Sequence, residues 1–337
     1  MKKAVLLILS VLVCALGLYS CSVLGVRIND KHFPDWRLMS SVRRVDVNEN
    51  GYLSKEELEA AKNLSILGPC SDLTGIEYLT NLETLTLVYG CSDLSGIENL
   101  TNLKTFRISE QCPDLSVLKN LTNLETIEIH DCAFNETFVL DNEISATNLE
   151  FRCCVFEKGI LINNNSVKKA TFEYCAAIGD VVFSDCDGLN SFNAEFRPDD
   201  KDLISCLDDL LDREYLEALQ EKSCSIDLSG CENLDRVRVY NTGVIDSIDL
   251  SDCSMLAEIS LIDWRDKSDK ITLNISGCPN IVSAHLGLRC LKELDISGCT
   301  NLISVTEQTP SDKDWCLEYE NEDVDFYCSN EKLVLIK

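Results

Sequence analysis

The feature that most constrains the fold is a nine-residue phrase that recurs along the chain. It stands as IDLSGCENL, IDLSDCSML, LNISGCPNI and LDISGCTNL, beginning at residues 226, 248, 273 and 294, and an earlier version, VVFSDCDGL, begins at residue 181. Each copy has apolar residues at its first, third and ninth positions, with Ser at the fourth and Cys at the sixth. A phrase that recurs in this way indicates stacked copies of one structural unit, because a single copy cannot bury its apolar side alone.

A second pattern occupies the N-terminal half and has a period of 21 residues. Three units begin at Leu73, Leu94 and Leu115, and each contains an L-x-x-L-x-L spacing such as Leu82, Leu85 and Leu87. This spacing resembles the leucine-rich repeat. The repeated SGC phrase falls about half a period away from the L-x-L segments, so each unit is expected to carry two extended segments.

The double pattern resembles the leucine-rich repeats of bacterial surface proteins, including internalin-like ones, and the resemblance covers roughly 73–305. It implies an α/β leucine-rich repeat solenoid with repeats of 21–22 residues. The L-x-L segments would form a concave parallel sheet, and the SGC phrases would form the short strands and turns of the outer face. Stacking at the usual strand spacing would supply the core.

A calcium-binding pattern precedes the repeats in the segment DVNENGYLSKEE, residues 46–57. Its spacing resembles an EF-hand loop, in which alternate oxygen ligands and a final Glu surround the ion and a Gly at position 6 permits the turn. It also resembles the EF-hand-like module found before leucine-rich repeats in some secreted bacterial proteins. The alternative is a helical cap that keeps the loop without calcium. The predicted metal ligands are Asp46, Asn48, Asn50, Tyr52, Ser54 and Glu57.

The N-terminus has the layout of an export signal, with Lys2 and Lys3 followed by an apolar run over residues 4–18. This run is short for a membrane span. The segment LYSC, residues 18–21, resembles a bacterial lipobox, although Tyr19 departs from the pattern. The resemblance implies acylation of Cys21 and anchoring to the membrane through an N-terminal lipid. Cleavage without a lipid and an uncleaved anchor are the alternatives, and in each of the three cases the chain is exported.

Nineteen cysteines in an exported chain normally suggest a disulfide framework. Here most recur at one position of the repeat, and parallel side chains on adjacent rungs have poor disulfide geometry. We therefore predict that these ladder cysteines are reduced and buried, with Asn164 taking the same position in one unit. Adjacent Cys153 and Cys154 are expected to point to opposite faces of a strand, so that only one is buried. A disulfide between Cys316 and Cys328 is left open.

The patterns divide the chain into four parts. We assign residues 1–20 to a signal peptide and residues 21–69 to a tether and an EF-hand-like helical cap. The solenoid is assigned to residues 70–305, with an amphipathic helical insertion at 201–222 where Leu side chains follow helical spacing. Residues 306–337 are assigned to an acidic C-terminal cap.

Charge and motifs restrict the function. The chain has 57 acidic and 30 basic residues and a net charge of −27, so a nucleic acid is a poor partner. The three histidines lie on different elements, and the sequence contains none of the common catalytic motifs. We therefore predict that the protein is not an enzyme.

The x positions of the L-x-L segments are expected to face solvent on the inner sheet. Arg and Tyr are favoured at binding hot spots, which makes the group around residues 236–240 the best candidate for recognition. We predict an exported, surface-tethered protein that binds a protein or glycan ligand on the concave face. The main alternative is a structural spacer without a specific ligand, and an unrecognised enzyme is the third. The predicted ligand-binding residues are Arg236, Arg238, Tyr240, Trp264, Arg107, Arg152 and His285.

Overall fold

The computed structural model describes residues 25–196, 223–240, 245–262, 271–286, 291–302, 304–307, 315–318 and 334–336. The chain forms two compact units. The first comprises Met1–Phe106 and Cys112–Asn123, and the second comprises Arg107–Gln111 and Leu124–Lys337. The predicted signal peptide, the lipid site at Cys21, the helical insertion at 201–222 and Trp264 lie outside the described residues.

The first unit begins with a small helical cap, as predicted. Its elements are β1 (Val26–Arg27), α1 (Trp36–Val42), β2 (Tyr52–Leu53) and α2 (Lys55–Ala60), with β1 antiparallel to β2. Asp35 caps α1 by accepting hydrogen bonds from the backbone N–H groups of Arg37 and Leu38. Ser54 and Glu57 form a capping box at the start of α2. Both helices therefore start where side chains satisfy the unpaired N–H groups of the first turn.

Parallel strands and 3₁₀ helices follow the cap in the first unit. Strand β3 (Asn63–Leu67) pairs with β4 (Thr84–Val88), each residue facing the one 21 positions later. The three 3₁₀ helices are η1 (Ile76–Tyr78), η2 (Ile97–Asn99) and η3 (Ser116–Asn120). Thus β3 already follows the repeat, although it lies within the range that we assigned to the cap. Strand β5 (Thr105–Ser109) contributes Thr105 and Phe106 to this unit.

The second unit contains two long sheets. Sheet A consists of β6 (Thr126–His130), β9 (Asn148–Arg152), β12 (Lys169–Ala177), β14 (Ser191–Phe196), β16 (Arg236–Tyr240), β18 (Glu258–Ile262), β20 (Ser283–Leu286), β22 (Ser304–Glu307) and β23 (Trp315–Glu318). Sheet B consists of β8 (Phe138–Leu140), β11 (Ile160–Asn163), β13 (Val181–Ser184), β15 (Cys224–Asp227), β17 (Ile245–Asp249), β19 (Ile271–Asn274), β21 (Leu291–Asp295) and β24 (Val334–Ile336). Two short strands, β7 (Ala133–Phe134) and β10 (Val155–Phe156), pair beside the end of β12. Neighbouring strands in both sheets are parallel except β22 and β23.

This arrangement confirms the predicted repeat solenoid. The L-x-L segments form sheet A, and the SGC phrases follow or overlap the strands of sheet B, as β15, β17, β19 and β21 do. Strand β22 crosses the predicted boundary at residue 305, and β23 and β24 belong to the range assigned to the acidic cap.

The core of the second unit lies between its two sheets. Along β14 and β16, inward apolar side chains alternate with outward polar ones, as expected for the two-residue period of a β-strand. The rings of Phe151 and Phe172 stack with centroids 5.0 Å apart, and those of Phe134 and Phe156 do the same. Stacking of like side chains on successive rungs therefore continues through the part of the repeat where leucines are few.

The ladder cysteines have a defined structural role. The cysteines of the SGC phrases donate to carbonyl oxygens of the preceding rung: Cys253 to Leu228 at 3.2 Å and Cys278 to Leu250 at 3.1 Å. In the N-terminal repeats, the thiols of Cys70 and Cys91 instead donate within their own rung, to carbonyl oxygens two residues further on. Asn164 occupies the same position, fully buried, and its amide donates to the carbonyl of Ile144 at 2.7 Å. The position thus requires a small side chain that donates one hydrogen bond across rungs. Among the ladder cysteines, Cys70, Cys91, Cys231, Cys253 and Cys278 are buried free thiols, and Cys299 is a half-buried one.

The prediction for Cys153 and Cys154 is wrong, because both side chains are buried. Strand β9 ends at Arg152, and Cys153 adopts the left-handed conformation with φ 51°. This turn breaks the alternation of the strand and directs both thiols inward.

Candidate functional site

The outward face of sheet A is a polar surface that the repeat organises. We count its charged residues over Arg107–Ser109 and strands β6 to β20. The face carries five basic and five acidic side chains and is therefore neutral overall, whereas the whole chain has a net charge of −27. The residues are Arg107, Arg152, Lys169, Arg236 and Arg238, with Glu128, Glu150, Glu173, Glu195 and Glu258.

Most of these charges are paired across strands. Arg107 forms an ion pair with Glu128, and Lys169 lies 3.8 Å from Glu150. Arg152 lies over the ring of Tyr174, with its guanidinium carbon 5.9 Å from the ring centroid. Opposite charges on neighbouring strands stabilise the pairing only modestly, because the side chains are exposed.

Glu258 organises the group that the sequence singled out. One carboxylate oxygen accepts a hydrogen bond from Nε of Arg236 at 2.7 Å, and the other accepts from Nη2 of Arg238 at 2.7 Å. The hydrogen bond from Arg238 lowers the pKa of Glu258, with partial burial opposing it. The same contact raises the pKa of Arg238. The two guanidinium groups are therefore held in fixed positions by one carboxylate.

The structure brings together part of the predicted ligand-binding set. Arg236, Arg238 and Tyr240 lie on β16, all on the outward face, with Tyr240 half-buried. The other described members share the face but lie on separate strands: Arg107 on β5, Arg152 on β9 and His285 on β20. The predicted ligand-binding set did not include Glu258, which lies 22 positions after Arg236 and 20 positions after Arg238. A separation of about one repeat places residues side by side on neighbouring strands, so the repeat period was the signal that could have identified Glu258.

A second feature that the sequence did not predict lies one strand away from this group. Thr171 and Asn193 face each other across β12 and β14 at outward positions. The hydroxyl oxygen of Thr171 and the amide oxygen of Asn193 are buried and have no hydrogen-bond partner in the part of the chain described. Buried polar atoms without partners are rare in native proteins.

The segment with EF-hand-like spacing, residues 46–57, lies between α1 and the first turn of α2 in the first unit. Gly51, at loop position 6, has φ 81°, which glycine adopts without strain. The carboxylates of Asp46 and Glu57 are both buried, whereas Asn48 and Asn50 are exposed. The Asp46 carboxylate accepts from the backbone N–H of Asn50 at 3.1 Å and of Gly51 at 2.8 Å.

The Glu57 carboxylate is engaged by the loop itself. Its Oε1 accepts from the backbone of Val47 at 2.9 Å and from the amide of Asn48 at 2.8 Å, and its Oε2 accepts from the backbone of Ser54 at 2.9 Å. Burial raises the pKa of Glu57, but these hydrogen bonds outweigh it and lower the pKa overall. Two carboxylates with adjacent amide oxygens suit a calcium ion, yet Glu57 would have to exchange hydrogen bonds for the metal. No group of three or more His, Cys, Asp or Glu side chains suited to a metal occurs among the described residues.

Within the described ranges, no helix combines the length and the apolar character needed to cross a membrane. No protein-family model matches the sequence. No curated protein matches it either.

Solved structures with similar architecture include three from Listeria monocytogenes. An internalin (inlF) is 17% identical, with 84% of this chain and 97% of that chain covered and a TM-score of 0.33. Internalin C2 is 15% identical, with coverages of 85% and 98% and a TM-score of 0.37. The functional domain of InlJ, described as including a cysteine ladder, is 17% identical, with coverages of 85% and 77% and a TM-score of 0.32. At these TM-scores the likenesses carry no functional conclusion, and the fold stands on the described strands and their register.

Proposed function

We propose that this chain is an exported, surface-tethered repeat protein that recognises a protein or glycan ligand through the outward face of sheet A. The observation that carries the proposal is the neutrality of this face in a chain with a net charge of −27. The excess acidic residues therefore lie elsewhere. A face with both charges in fixed positions offers specific electrostatic complementarity to a partner.

The rival functions make different demands on the same surface. A structural spacer needs only solubility, so its sheet face would share the acidic excess of the chain. The cluster of Arg236, Arg238 and Tyr240 instead combines residue types that dominate binding energy at interfaces. An unrecognised enzyme remains the third alternative.

A matched pair of serine substitutions tests the proposal. Ser191→Arg adds a long side chain to the outward face of sheet A, and Ser247→Arg adds the same side chain to the outward face of sheet B. The parent and both variants are screened against arrays of glycans and cell-surface proteins. We expect Ser191→Arg to lose the ligands that the parent and Ser247→Arg retain. Equal binding by both variants, or no ligand for the parent, would contradict the proposal.

The tether is proposed from the lipobox-like segment that ends at Cys21. Cys21→Ala removes the thiol that would be acylated, so the protein should move from the membrane fraction to the soluble exported fraction. Membrane association equal to that of the parent would show that no lipid on Cys21 anchors the chain.

We also propose that the loop over residues 46–57 binds one calcium ion weakly and thereby stabilises the cap. Support comes from two buried carboxylates and the left-handed Gly51 in a loop of EF-hand spacing. With only two charged ligands, the dissociation constant should be on the order of 10⁻⁴ to 10⁻³ M. When bound, calcium would supply positive charge between Asp46 and Glu57 and raise the stability of the folded state.

Calorimetry and thermal unfolding of the parent in calcium or a chelator test this second proposal. Asn50→Ala removes one ligand oxygen at an exposed position, and Val47→Ala changes an exposed side chain that is not a ligand. We expect calcium to raise the melting temperature of the parent and of Val47→Ala more than that of Asn50→Ala. If calcium produces no heat and no shift, the loop is a structural turn.

A further inference from the structure

The solvent-facing side of helix α1, in the first unit, has a composition that neither proposal above explains. The opposite side of the helix packs into the core through three buried residues, Leu38, Ser41 and Val42. Trp36 is 60% exposed at the start of the helix, and Arg43 and Arg44 are exposed where it ends. Helix α1 therefore presents an aromatic ring and several guanidinium groups to solvent.

Helical spacing brings these side chains to one side. Trp36 and Arg43 are seven residues apart, which is nearly two full turns, and Arg37 and Arg44 have the same separation. The guanidinium carbon of Arg37 lies 3.9 Å from the centroid of the Trp36 ring. Nη1 of Arg37 donates to the carbonyl of Leu67 at 3.2 Å, and Nε and Nη2 have no acceptor in the part of the chain described. We call Trp36, Arg37, Arg43 and Arg44 the basic face.

Neighbouring carboxylates do not neutralise the basic face. Within the described residues, no ion pair joins any of its three arginines to an acidic side chain. The two flanking carboxylates, of Asp35 and Asp46, accept hydrogen bonds from backbone N–H groups instead. Residues 36–45 contain three arginines and no acidic residue, although the whole chain has a net charge of −27. The basic face is therefore a local positive surface on an acidic protein.

We propose that the basic face binds the phosphate groups of anionic lipids at a membrane surface. A guanidinium group pairs with a phosphate through two parallel hydrogen bonds, and Arg37 has its Nε and Nη2 donors available for such a pair. An indole ring favours the headgroup level of a bilayer, because one part of it is apolar and the other donates a hydrogen bond. Trp36 and Arg37 thus place both kinds of contact side by side.

The inference rests on the proposed lipid at Cys21, because that tether would hold the cap close to a membrane. Gly25 is four residues beyond Cys21, and four fully extended residues span at most about 14 Å. At physiological ionic strength, exposed charges more than about 8 Å apart are largely screened from each other. Acidic residues farther than this from the membrane therefore repel it only weakly, and the basic face decides the contact.

The basic face adds to the lipid anchor and does not replace it. Each arginine near an anionic surface strengthens binding only about fivefold, so three arginines give weak, reversible binding. Stable attachment to a membrane usually combines a lipid with a basic patch. Cys21→Ala should therefore still release the protein from membranes in cells.

Vesicle binding by the chain without its lipid tests the inference. The exported form, residues 21–337 carrying Cys21→Ala, is cosedimented with vesicles of equal parts phosphatidylcholine and phosphatidylglycerol, and with vesicles of phosphatidylcholine alone. We expect binding to the anionic vesicles only. The double variant Arg43→Gln and Arg44→Gln should bind about twenty-fivefold more weakly. Equal binding to both kinds of vesicle, or to neither, would overturn the inference.

A charge-matched double variant separates the basic face from net charge. Lys55→Gln and Lys62→Gln remove the same charge from the same unit, but these lysines are paired with Glu59 and Glu83. This variant should change vesicle binding by less than about twofold. An equal loss of binding in the two double variants would show that net charge alone acts, against the basic face.

Tryptophan fluorescence reports whether the predicted side of the cap meets the lipid. Anionic vesicles should shift the emission of the parent to shorter wavelength, and Trp36→Phe should remove that shift. A shift retained by Trp36→Phe would contradict contact through the basic face. Binding of soluble polyglutamate, but not of anionic vesicles, would overturn the lipid and identify an acidic protein as the partner.

The outcomes for the basic face and for the tether are independent. If Cys21→Ala releases the protein in cells but the exported form ignores anionic vesicles, this inference fails and the tether stands. If membrane association in cells does not depend on Cys21 but the exported form binds anionic vesicles through the arginines, the tether fails and the basic face stands.

Discussion

Replacement of Glu57 by Gln should destabilise the cap even without calcium. The side chain is buried, and its two oxygens accept hydrogen bonds from Val47, Asn48 and Ser54. Gln retains only one oxygen and adds an NH₂ group. Whichever way the amide turns, its NH₂ group faces a donor that the carboxylate had satisfied.

The expected cost follows from these contacts. A buried donor left without an acceptor costs about 1–3 kcal/mol, and the lost bonds are charge-assisted, so we expect about 2–4 kcal/mol in total. Every 1.4 kcal/mol is a factor of about ten in an equilibrium constant. Amides of α2 that exchange through opening of the cap should therefore exchange about thirtyfold faster or more.

Amide hydrogen exchange in a chelator measures this effect, and Glu56→Gln provides the control. Glu56 lies in the first turn of the same helix but is exposed, so its loss removes the same charge at a cost of less than about 1 kcal/mol. If both variants exchange at the parent rate, the Glu57 carboxylate does not stabilise the loop. In that case its conformation depends on the backbone alone.

Three further predictions concern the repeats. Gly75→Ala should destabilise the first unit by several kcal/mol, because φ is 102° and the added Cβ would contact the His32 carbonyl and lie 2.5 Å from the Phe33 ring. Gly230→Ala is the control, because Gly230 has φ 71° but open space around the added Cβ, and it should lower the free energy of unfolding by only about 1–2 kcal/mol. Thermal unfolding of both variants measures the difference. The pKa of Glu258 is lowered in the folded state, so the stability that this carboxylate contributes should be complete above its ordinary pKa of 4.5 and be lost as the pH falls through its lower folded pKa. The loss, measured by comparison with Glu258→Gln, should stay below about 1 kcal/mol because the side chain is 37% exposed. Burial raises the pKa of Cys278 to about 12, so iodoacetamide should modify it slowly in the native protein at neutral pH and rapidly after unfolding; rapid native labelling, or a disulfide to the next rung, would contradict its packing role.

Sequence periodicity alone determined the architecture of the repeats. The positions of Leu85 and Leu87 predicted inward side chains of one strand, and the phrase around Cys253 predicted the strand and turn of the other sheet. Both predictions succeed because a repeated unit meets only copies of itself, so local patterns decide the packing. The capping box at Ser54 and Glu57 also depends on only four consecutive residues, but we predicted both residues solely as metal ligands.

Tertiary structure alone decided how side chains share the surface of sheet A. The repeat period makes Arg238 and Glu258 neighbours, but only the folded sheet shows one carboxylate holding two guanidinium groups. Likewise, nothing in the residues around Thr171 reveals that its hydroxyl is buried without a partner, because that state depends on side chains from three strands. Periodicity specifies which face a residue occupies, whereas hydrogen bonding and burial depend on contacts between residues about 20 or more positions apart.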